Sequence, residues 1–270
     1  MIPVAALIVT KNEEAALPRC LAALRDFAAV VVVDSGSTDG TEAVTRAAGA
    51  QYVSYEWDGR YPKKRQWCLD HWQCNSDWVF FIDADEVATP ALVQEIAALF
   101  AQGPPPCAGY FVRGRYVVDG VPLRHGLMNN KLVLFNRHGF AYPVVNDLDL
   151  PMGEMEGHYQ PQPVRADARI GQLNHEVLHY AGDDRAAWIA RHERYARWEA
   201  GMNKRKAWPA DPVPAREFMK HIFRALPVRG AIAFLHAYII KGGIKNGPAG
   251  WRQACDRFIY YRMISRAMRD

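Results

Sequence analysis

The sequence predicts an α/β fold: a mostly parallel sheet flanked by helices, followed by a helical, basic C-terminal extension. Three observations carry this reading. Short continuous apolar runs, "VAALIVT", "VVVVD" and "DWVFFI", read as strands buried on both faces. Helical patterns alternate with them over the first hundred residues, the order of βαβ units. Polar clusters, "TKNEE", "DSGSTDGT" and "DADE", fall where strands end, and such sheets bind ligands outside their carboxyl ends.

The elements follow in order. After the first strand, Asn12 is expected to cap a helix, with Glu13 and Glu14 in its first turn and a stripe of Leu17, Leu21, Leu24 and Phe27. The second strand, "VVVVD", leads through "SGSTDGT" to a helix bearing Ala43, Val44 and Ala47, stopped at Gly49. "QYVSY" is the third strand. Pro62 opens a helix carrying Trp67 and Trp72, and "DWVFFI" is the fourth strand. Thr89 and Pro90 begin an amphipathic helix with Leu92, Val93, Ile96, Leu99 and Phe100 on one side. "GPPPCAG" (103–109) is a seam. Beyond it "YFVRGRYVVDGVPL" reads as a hairpin around Asp119 and Gly120. The stretch from Phe140 to Pro163 is irregular, with the length of a functional loop. "EVLHY" reads as a strand, and "WIARHERYARWEAGM" as a helix with Trp188, Tyr195, Trp198 and Met202 near one face.

Composition narrows the function. Half of the 270 residues are hydrophobic, enough for a packed core. A net charge of +4, from 33 Lys and Arg against 29 Asp and Glu, does not suggest a nucleic-acid binder. The cations concentrate in the C-terminal third, which suggests an anionic surface as partner. Five cysteines without CxxC spacing read as free thiols in a reducing compartment. "IPVAALIVT" lacks a basic lead and a cleavage site, and no segment has the length to span a bilayer, so the expected location is cytoplasmic.

Five clusters offer chemistry. In "DADE", Asp83 and Asp85 alternate at a strand end and supply hard oxygen ligands suited to Mg²⁺ or Mn²⁺; the plainer reading is a solvated turn. "VVVVDSGSTDGT" is neither a G-x-G-x-x-G nor a P-loop. There Asp34 either accepts from a base N–H or ribose hydroxyl, or caps a helix. Arg60, Lys63, Lys64 and Arg65 in "GRYPKKRQW" form a solvated helix face or hold a diphosphate. Glu154, Glu156 and His158 in "PMGEMEGHYQP" are spaced by two, so an extended segment directs all three to one side; one can serve as general base, against the alternative of an acidic surface loop. His175 and His179 make a metal pair only on a helix, and a strand would separate them.

Taken together, "LIVTKNEEAALPRCLAAL", "VVVVDSGSTDGT" and "DWVFFIDADE" resemble the inverting family 2 glycosyltransferases of GT-A fold. With "KKRQW", "HEVLHY" and "YIIKGGIKNGPAGW", the chain looks like the lipopolysaccharide-core and exopolysaccharide glucosyltransferase branch. The resemblance implies a GT-A catalytic domain over 1–182, with a nucleotide-sugar half (1–103) and an acceptor half (104–182), and a helical extension over 183–270. It implies a nucleotide-sugar donor, most often a UDP-sugar, a Mn²⁺ or Mg²⁺ cofactor, and a glycan or lipid-linked acceptor. By position, Thr10, Asn12 and Glu13 would line the base pocket and Asp34 would contact the base. Asp83, with Ala84 beside it, would lie near the ribose, and Asp85 would ligate the metal. Lys64 and Arg65 would sit near the phosphates, and His179 would complete the metal or phosphate site. The branch presents an "HE" pair in the acceptor loop; here Tyr159 stands at the glutamate's place. Glu156 is then the expected base, with Glu154, Asp147 and His158 as substitutes.

Two rivals remain at this level. A nucleotidyltransferase would carry a Gly-rich basic loop after strand one, which "LIVTKNEEAALP" lacks. A non-catalytic nucleotide-sugar-binding module would keep the donor pocket without a base. The basic, apolar tail is expected either to pack as an ordinary helix or to touch the inner face of the cell membrane through Lys220, Arg224, Arg229 and Lys241.

Overall fold

The computed structural model describes residues 1–71, 76–180, 185–226 and 228–270. The chain forms two compact units. The first holds Met1–Gly114, Asn129–Tyr142 and Pro161–Tyr180; the second holds Arg115–Met128, Pro143–Gln160 and Ala181–Asp270.

The strands are β1 (Ile2–Thr10), β2 (Phe27–Asp34), β3 (Gln51–Ser54), β4 (Trp78–Asp83), β5 (Glu86–Ala88), β6 (Gly109–Val118), β7 (Val121–Pro122), β8 (Asn129–Asn136), β9 (Phe140–Ala141), β10 (Gln162–Pro163) and β11 (Ile170–His179). The helices are α1 (Leu17–Ala22), α2 (Thr41–Ala47), α3 (Lys64–His71), α4 (Pro90–Ala101), α5 (Arg185–Arg205), α6 (Pro214–Ala225), α7 (Arg229–Leu235) and α8 (Gly247–Ala267).

In the first unit the main sheet runs β3-β2-β1-β4-β8-β6-β11-β5. The four strands read from the sequence are parallel to one another. From β4 outward the character changes: β8 runs antiparallel to β4 and β6, and β5 antiparallel to β11. The sheet is therefore mixed, parallel in its nucleotide-side half. The apolar runs behave as their composition requires, since β1 is buried from Val4 to Thr10 on both faces. Leu17, Leu21 and Leu24 from the α1 region and Leu92 and Ile96 of α4 share one core with Ile8, Val32, Phe80 and Ile82. Each such side chain contributes about 1.5–3 kcal/mol on burial.

Local signals fix several boundaries. Thr89 caps α4 by accepting from the Leu92 N–H at 3.2 Å. Gly49, at φ +75°, follows the last turn of α2, and its N–H donates to the Arg46 carbonyl. The β6–β7 hairpin turns through Asp119 (φ 52°) and Gly120 (φ 77°), as the Asp-Gly pair predicts. One expectation fails: Asn12 does not cap α1. That helix starts only at Leu17, with Pro18 and no acidic residue in its first turn, because Asn12 is held by the β2–α2 loop instead. Trp72 and Cys74 lie outside the described residues; Cys20, Cys68, Cys107 and Cys255 are free thiols.

In the second unit, Ala196 and Ala200 of α5 pack on Ile264 of α8. The Trp198 indole N–H donates to the Asp147 carboxylate at 2.9 Å, and both residues are buried. A Cβ at Gly157 would fall 2.1 Å from the Trp198 ring, so only glycine lets the 143–160 loop lie against α5. Glu199 on α5 is buried and accepts from the Tyr260 hydroxyl at 2.9 Å; burial pushes its carboxyl up. Among the described residues no helix is long and apolar enough to cross a membrane. Three of the four cations expected to meet lipid are otherwise engaged. Lys220 pairs with Asp211 at 2.6 Å, Arg224 with Glu217 at 3.2 Å, and Arg229 is buried; Lys241 is exposed.

Candidate functional site

Register brings the site together in the first unit. Thr10 at the end of β1 lies opposite Asp34 at the end of β2, and Val9 lies opposite Asp83 at the end of β4. Two aspartates therefore flank the carboxyl end of one strand, in very different surroundings.

Asp34 is fully buried and receives only neutral donors. Thr10 donates its hydroxyl at 3.1 Å, Ser37 its backbone N–H at 2.7 Å and also its hydroxyl, and Tyr52 its phenol at 2.9 Å. Burial opposes the charge, but these donors more than offset it and hold the carboxyl below its ordinary range. The loop above is laced to its neighbour. Asn12 donates its backbone N–H to the Ser37 hydroxyl at 2.7 Å and accepts from the Thr38 N–H at 2.8 Å. Its φ of 56° is one that Asn tolerates better than most side chains. The Glu13 N–H donates to the Thr41 hydroxyl at 2.9 Å. Thr10, Asn12, Glu13 and Asp34 are thus gathered in one hydrogen-bonded corner.

The "KKR" run is not a solvated face. Lys63 and Lys64 are buried. The Lys64 ammonium donates to the Thr10 carbonyl at 2.6 Å and to the Ser35 hydroxyl, tying the ends of β1 and β2. Arg65, one residue on, reaches Asp83 at 2.9 Å.

Asp83 is the centre of a charged cluster. Lys131 on β8 pairs with it at 2.5 Å and with Glu86 at 2.8 Å. Burial resists the Asp83 charge, but Lys131 and Arg65 hold its carboxyl well below the usual carboxylate range; Lys131 is correspondingly raised. Glu86 is buried and accepts from the Asp83 N–H at 3.2 Å, so it is a structural brace of the "DADE" turn. Ala84 is buried beneath the same turn.

His179 arrives from β11, whose antiparallel pairing places it opposite Glu86. Its Nε2 lies 3.3 Å from Asp85 Oδ2, and its Nδ1 lies 3.3 Å from the Asn129 amide and 3.8 Å from Glu86. Burial works against a charged imidazole, yet Asp85 and Glu86 raise it above the ordinary value. His175, on the same strand, is exposed. Among the described residues no group of three or more His, Cys, Asp or Glu side chains converges on one cation position. Asp85 and His179 do converge, as one hard oxygen and one imidazole nitrogen, both partly accessible. That donor pair fits a divalent cation that takes its remaining ligands from a bound anion.

The acceptor-loop candidates lie in the second unit and do not share a face. The segment turns through residues 151–154 rather than extending, so Glu154 is half-buried, Glu156 is buried and His158 is exposed. His158 packs edge-on against Tyr195 and Trp198, with ring centroids 5.3 and 5.9 Å away. Asp147 is occupied by Trp198.

Sequence reasoning missed Lys131 and Tyr52. A lysine heading the apolar run "KLVLF" was a signal of a buried cation, but its target across β4 depended on strand order.

Comparisons with known proteins bear on the family and the fold. The lipopolysaccharide core biosynthesis glycosyltransferase LpsC of Rhizobium meliloti is 40% identical over 105 residues, covering 37% of this chain and 38% of that protein. An uncharacterized glycosyltransferase of Rickettsia bellii is 37% identical over 99 residues, 36% of this chain and 33% of that one. The matches thus span little more than a third of these relatives. A mannosyltransferase from Pyrobaculum calidifontis, solved with GDP-Man and Mn²⁺, superposes with a TM-score of 0.54 at 16% identity, covering 98% of this chain and 86% of that one. This likeness shows a shared fold, that of the GT-A glycosyltransferases. The family model for glycosyl transferase family 2 matches residues 5–150, more than half the length, and the chain belongs to that family.

Proposed function

We propose that the protein is an inverting, metal-dependent glycosyltransferase. It would move a sugar, with a UDP-hexose favoured as donor, to a hydroxyl of a glycan or lipid-linked acceptor in cell-surface polysaccharide synthesis. It would act in the cytoplasm at the inner face of the membrane, where its basic C-terminal region meets the lipid. The observation that supports this best is the pairing of two distinct carboxylate sites at neighbouring strand ends. Asp34 suits a nucleoside, being ionised and ringed by hydroxyls; the Asp83–Asp85 corner suits a diphosphate, being rich in cations.

In this reading Thr10, Asn12 and Glu13 line the base pocket and Asp34 accepts from the base or the ribose. Asp83, beside Ala84, borders the ribose. Arg65 and Lys131 supply positive charge at the diphosphate, and Lys64 holds the β1 and β2 ends that form the pocket wall. Asp85 and His179 would hold Mn²⁺ or Mg²⁺, which when bound offsets negative charge on the diphosphate. Glu156 is assigned as the base that takes the acceptor hydroxyl proton, with Glu154 and His158 as its substitutes. The hydroxyl oxygen then attacks the anomeric carbon from the face opposite the departing nucleotide, which inverts the configuration.

A thermal-shift panel of UDP-, GDP- and dTDP-sugars, with and without Mn²⁺, tests the donor assignment. The expected result is stabilisation by a UDP-sugar that grows when Mn²⁺ is present. A larger shift from another nucleotide would replace the donor, and no shift from any would end the reading. Glycosyl transfer from a radiolabelled donor to extracted glycolipid then separates an enzyme from a binding module.

A further inference from the structure

The helix α6 is built inside out. Its charged residues face the protein and pair there: Arg216 and Lys220 with Asp211 at 3.6 and 2.6 Å, and Arg224 with Glu217 at 3.2 Å. Arg224 also lies over the Trp208 ring, 4.2 Å from its centroid, and Phe223 packs edge-on against Tyr261. Apart from Phe223, its large apolar residues face out. Phe218 is 65% exposed and Met219 62%, and Ile222 lies one turn beyond Phe218 on the same side. Val228, just after the helix, is exposed as well. A helix on a water-facing surface would have the opposite polarity.

A second exposed apolar strip lies on the same unit. Ala231, Leu235 and Ile239 recur every four residues along α7 and the helical turn that follows, and all are exposed. Ile240 (74% exposed), Ile244 and Trp251 continue the strip, and exposed Lys241 and Lys245 sit among them. Between Asp211 and Asp256 the only carboxylate is Glu217, which is neutralised by Arg224. This is an apolar surface edged with lysine and carrying a tryptophan, and the acids beside it, Glu217 and Asp119, are each paired with an arginine. Such a composition suits the headgroup boundary of an anionic bilayer and suits water poorly.

We propose that the outer face of α6 and the 231–251 strip form a surface that inserts shallowly into an anionic lipid bilayer. Phe218, Met219 and Ile222 enter the acyl boundary, while Lys241 and Lys245 meet lipid phosphates. The inference deepens the proposed placement at a membrane and rests on it. It changes the agents: the holding force comes from apolar side chains, and Lys220, Arg224 and Arg229 are spent inside the protein.

The test is co-sedimentation of the full chain with phosphatidylcholine vesicles, with and without phosphatidylglycerol. The wild type is expected to bind, more tightly when phosphatidylglycerol is present. The triple variant Phe218→Glu, Met219→Glu, Ile222→Glu should lose at least about tenfold in partitioning at every salt concentration, because three large side chains no longer leave water. The double variant Lys241→Gln, Lys245→Gln should lose about fivefold per lysine, and only at low salt. Hydrogen exchange on the wild type guards against misfolding of the triple variant: amides of 214–222 should slow when vesicles are added. A wild type that ignores vesicles, a triple variant that binds as well as wild type, or unchanged exchange would each overturn the inference. So would a wild-type dimer that the triple variant dissolves, since a second copy would then cover the face. Donor binding is read separately by thermal shift. Vesicle binding without donor binding would sink the glycosyl-transfer reading and leave this surface standing.

Discussion

Asp34 and Asp83 lie at the same edge of the parallel half of the sheet, each beside β1, and both stay ionised. They do so by opposite means. Asp34 is surrounded by hydroxyls and one backbone N–H, so its charge remains locally uncompensated and directed. Asp83 is clamped between Arg65 and Lys131, so its charge is already answered. The difference shows how one sheet edge can offer two kinds of recognition. A carboxylate held by neutral donors is a fixed acceptor for N–H or O–H groups. A carboxylate held by two cations is a scaffold that stations positive charge at the sheet edge. Asp85 belongs to neither: it meets His179 at 3.3 Å and stays partly exposed.

The largest expected effect comes from removing that open member. Asp85→Ala should reduce transfer by on the order of 10³-fold. The melting temperature should stay near wild type, because the Asp85 carboxylate is partly exposed and the backbone bond its carbonyl accepts from Tyr180 is kept in alanine. Retained transfer in steady-state assays, insensitive to chelator, would remove Asp85 from the metal role and leave the two strand ends chemically alike.

Breaking the clamp is next. Lys131→Met leaves Asp83 with Arg65, and the buried Glu86 with only the more distant His179 and the Asp83 N–H. Losing one partner of a buried pair costs several kcal/mol, but Asp83 and Lys131 are each about a third exposed, so about 2 kcal/mol is expected in urea unfolding. A loss below about 0.5 kcal/mol would mean that the cluster is solvated and that Lys131 is no more than a surface charge.

Asp34→Asn tests the other aspartate. The amide can accept fewer of the four converging donors and sets an N–H against one of them, so about 1–2 kcal/mol should be lost at neutral pH. The pH dependence has a definite sign. The folded carboxyl lies below the ordinary aspartate value of 3.8, so its contribution is present above that pH. It fades as acid takes the solution down through the lower, folded value. The gap between wild type and Asp34→Asn should therefore close below about pH 4 and stay constant above about pH 5. A gap that persists in acid would mean that the carboxylate charge is irrelevant to this corner.

Much of this was legible in the residues. Apolar runs buried on both faces announced the parallel strands, and polar clusters at their ends announced the site, because both follow from local composition. Asp-Gly at 119–120 and Thr-Pro at 89–90 fixed a hairpin and a helix start by short-range stereochemistry. Lys131 was not legible, because its link to Asp83 depends on β8 entering the sheet antiparallel beside β4, a long-range choice. Asn12 misled for a related reason. As a local signal it reads as a cap, yet its side chain serves the Thr38 N–H, 26 residues away. The inverted polarity of α6 was also hidden, since a hydrophobic period gives a stripe without saying which way it faces.

The smallest predicted effect separates the two aspartates most finely. Tyr52→Phe removes one of the four donors from Asp34 and changes no charge. Burial, and then Asp34 itself, push the phenol up to about 12, so the hydroxyl is a pure donor throughout the useful pH range. The loss should be about 1 kcal/mol at neutral pH, the ordinary cost of one hydrogen bond to a charged group that keeps its other partners. The Asp34 carboxyl should rise while remaining ionised at neutral pH, so the acid limb of the stability curve should move upward in pH. Lys131→Met, by contrast, should leave the Asp34 contribution in place, lower the neutral plateau further, and move only the part of the acid limb that belongs to Asp83. Parallel urea titrations of the two variants from pH 3 to pH 8 distinguish these shapes. Identical curves would mean that the two carboxylates share one electrostatic environment, and that hydroxyl donors and ammonium donors are interchangeable at this edge.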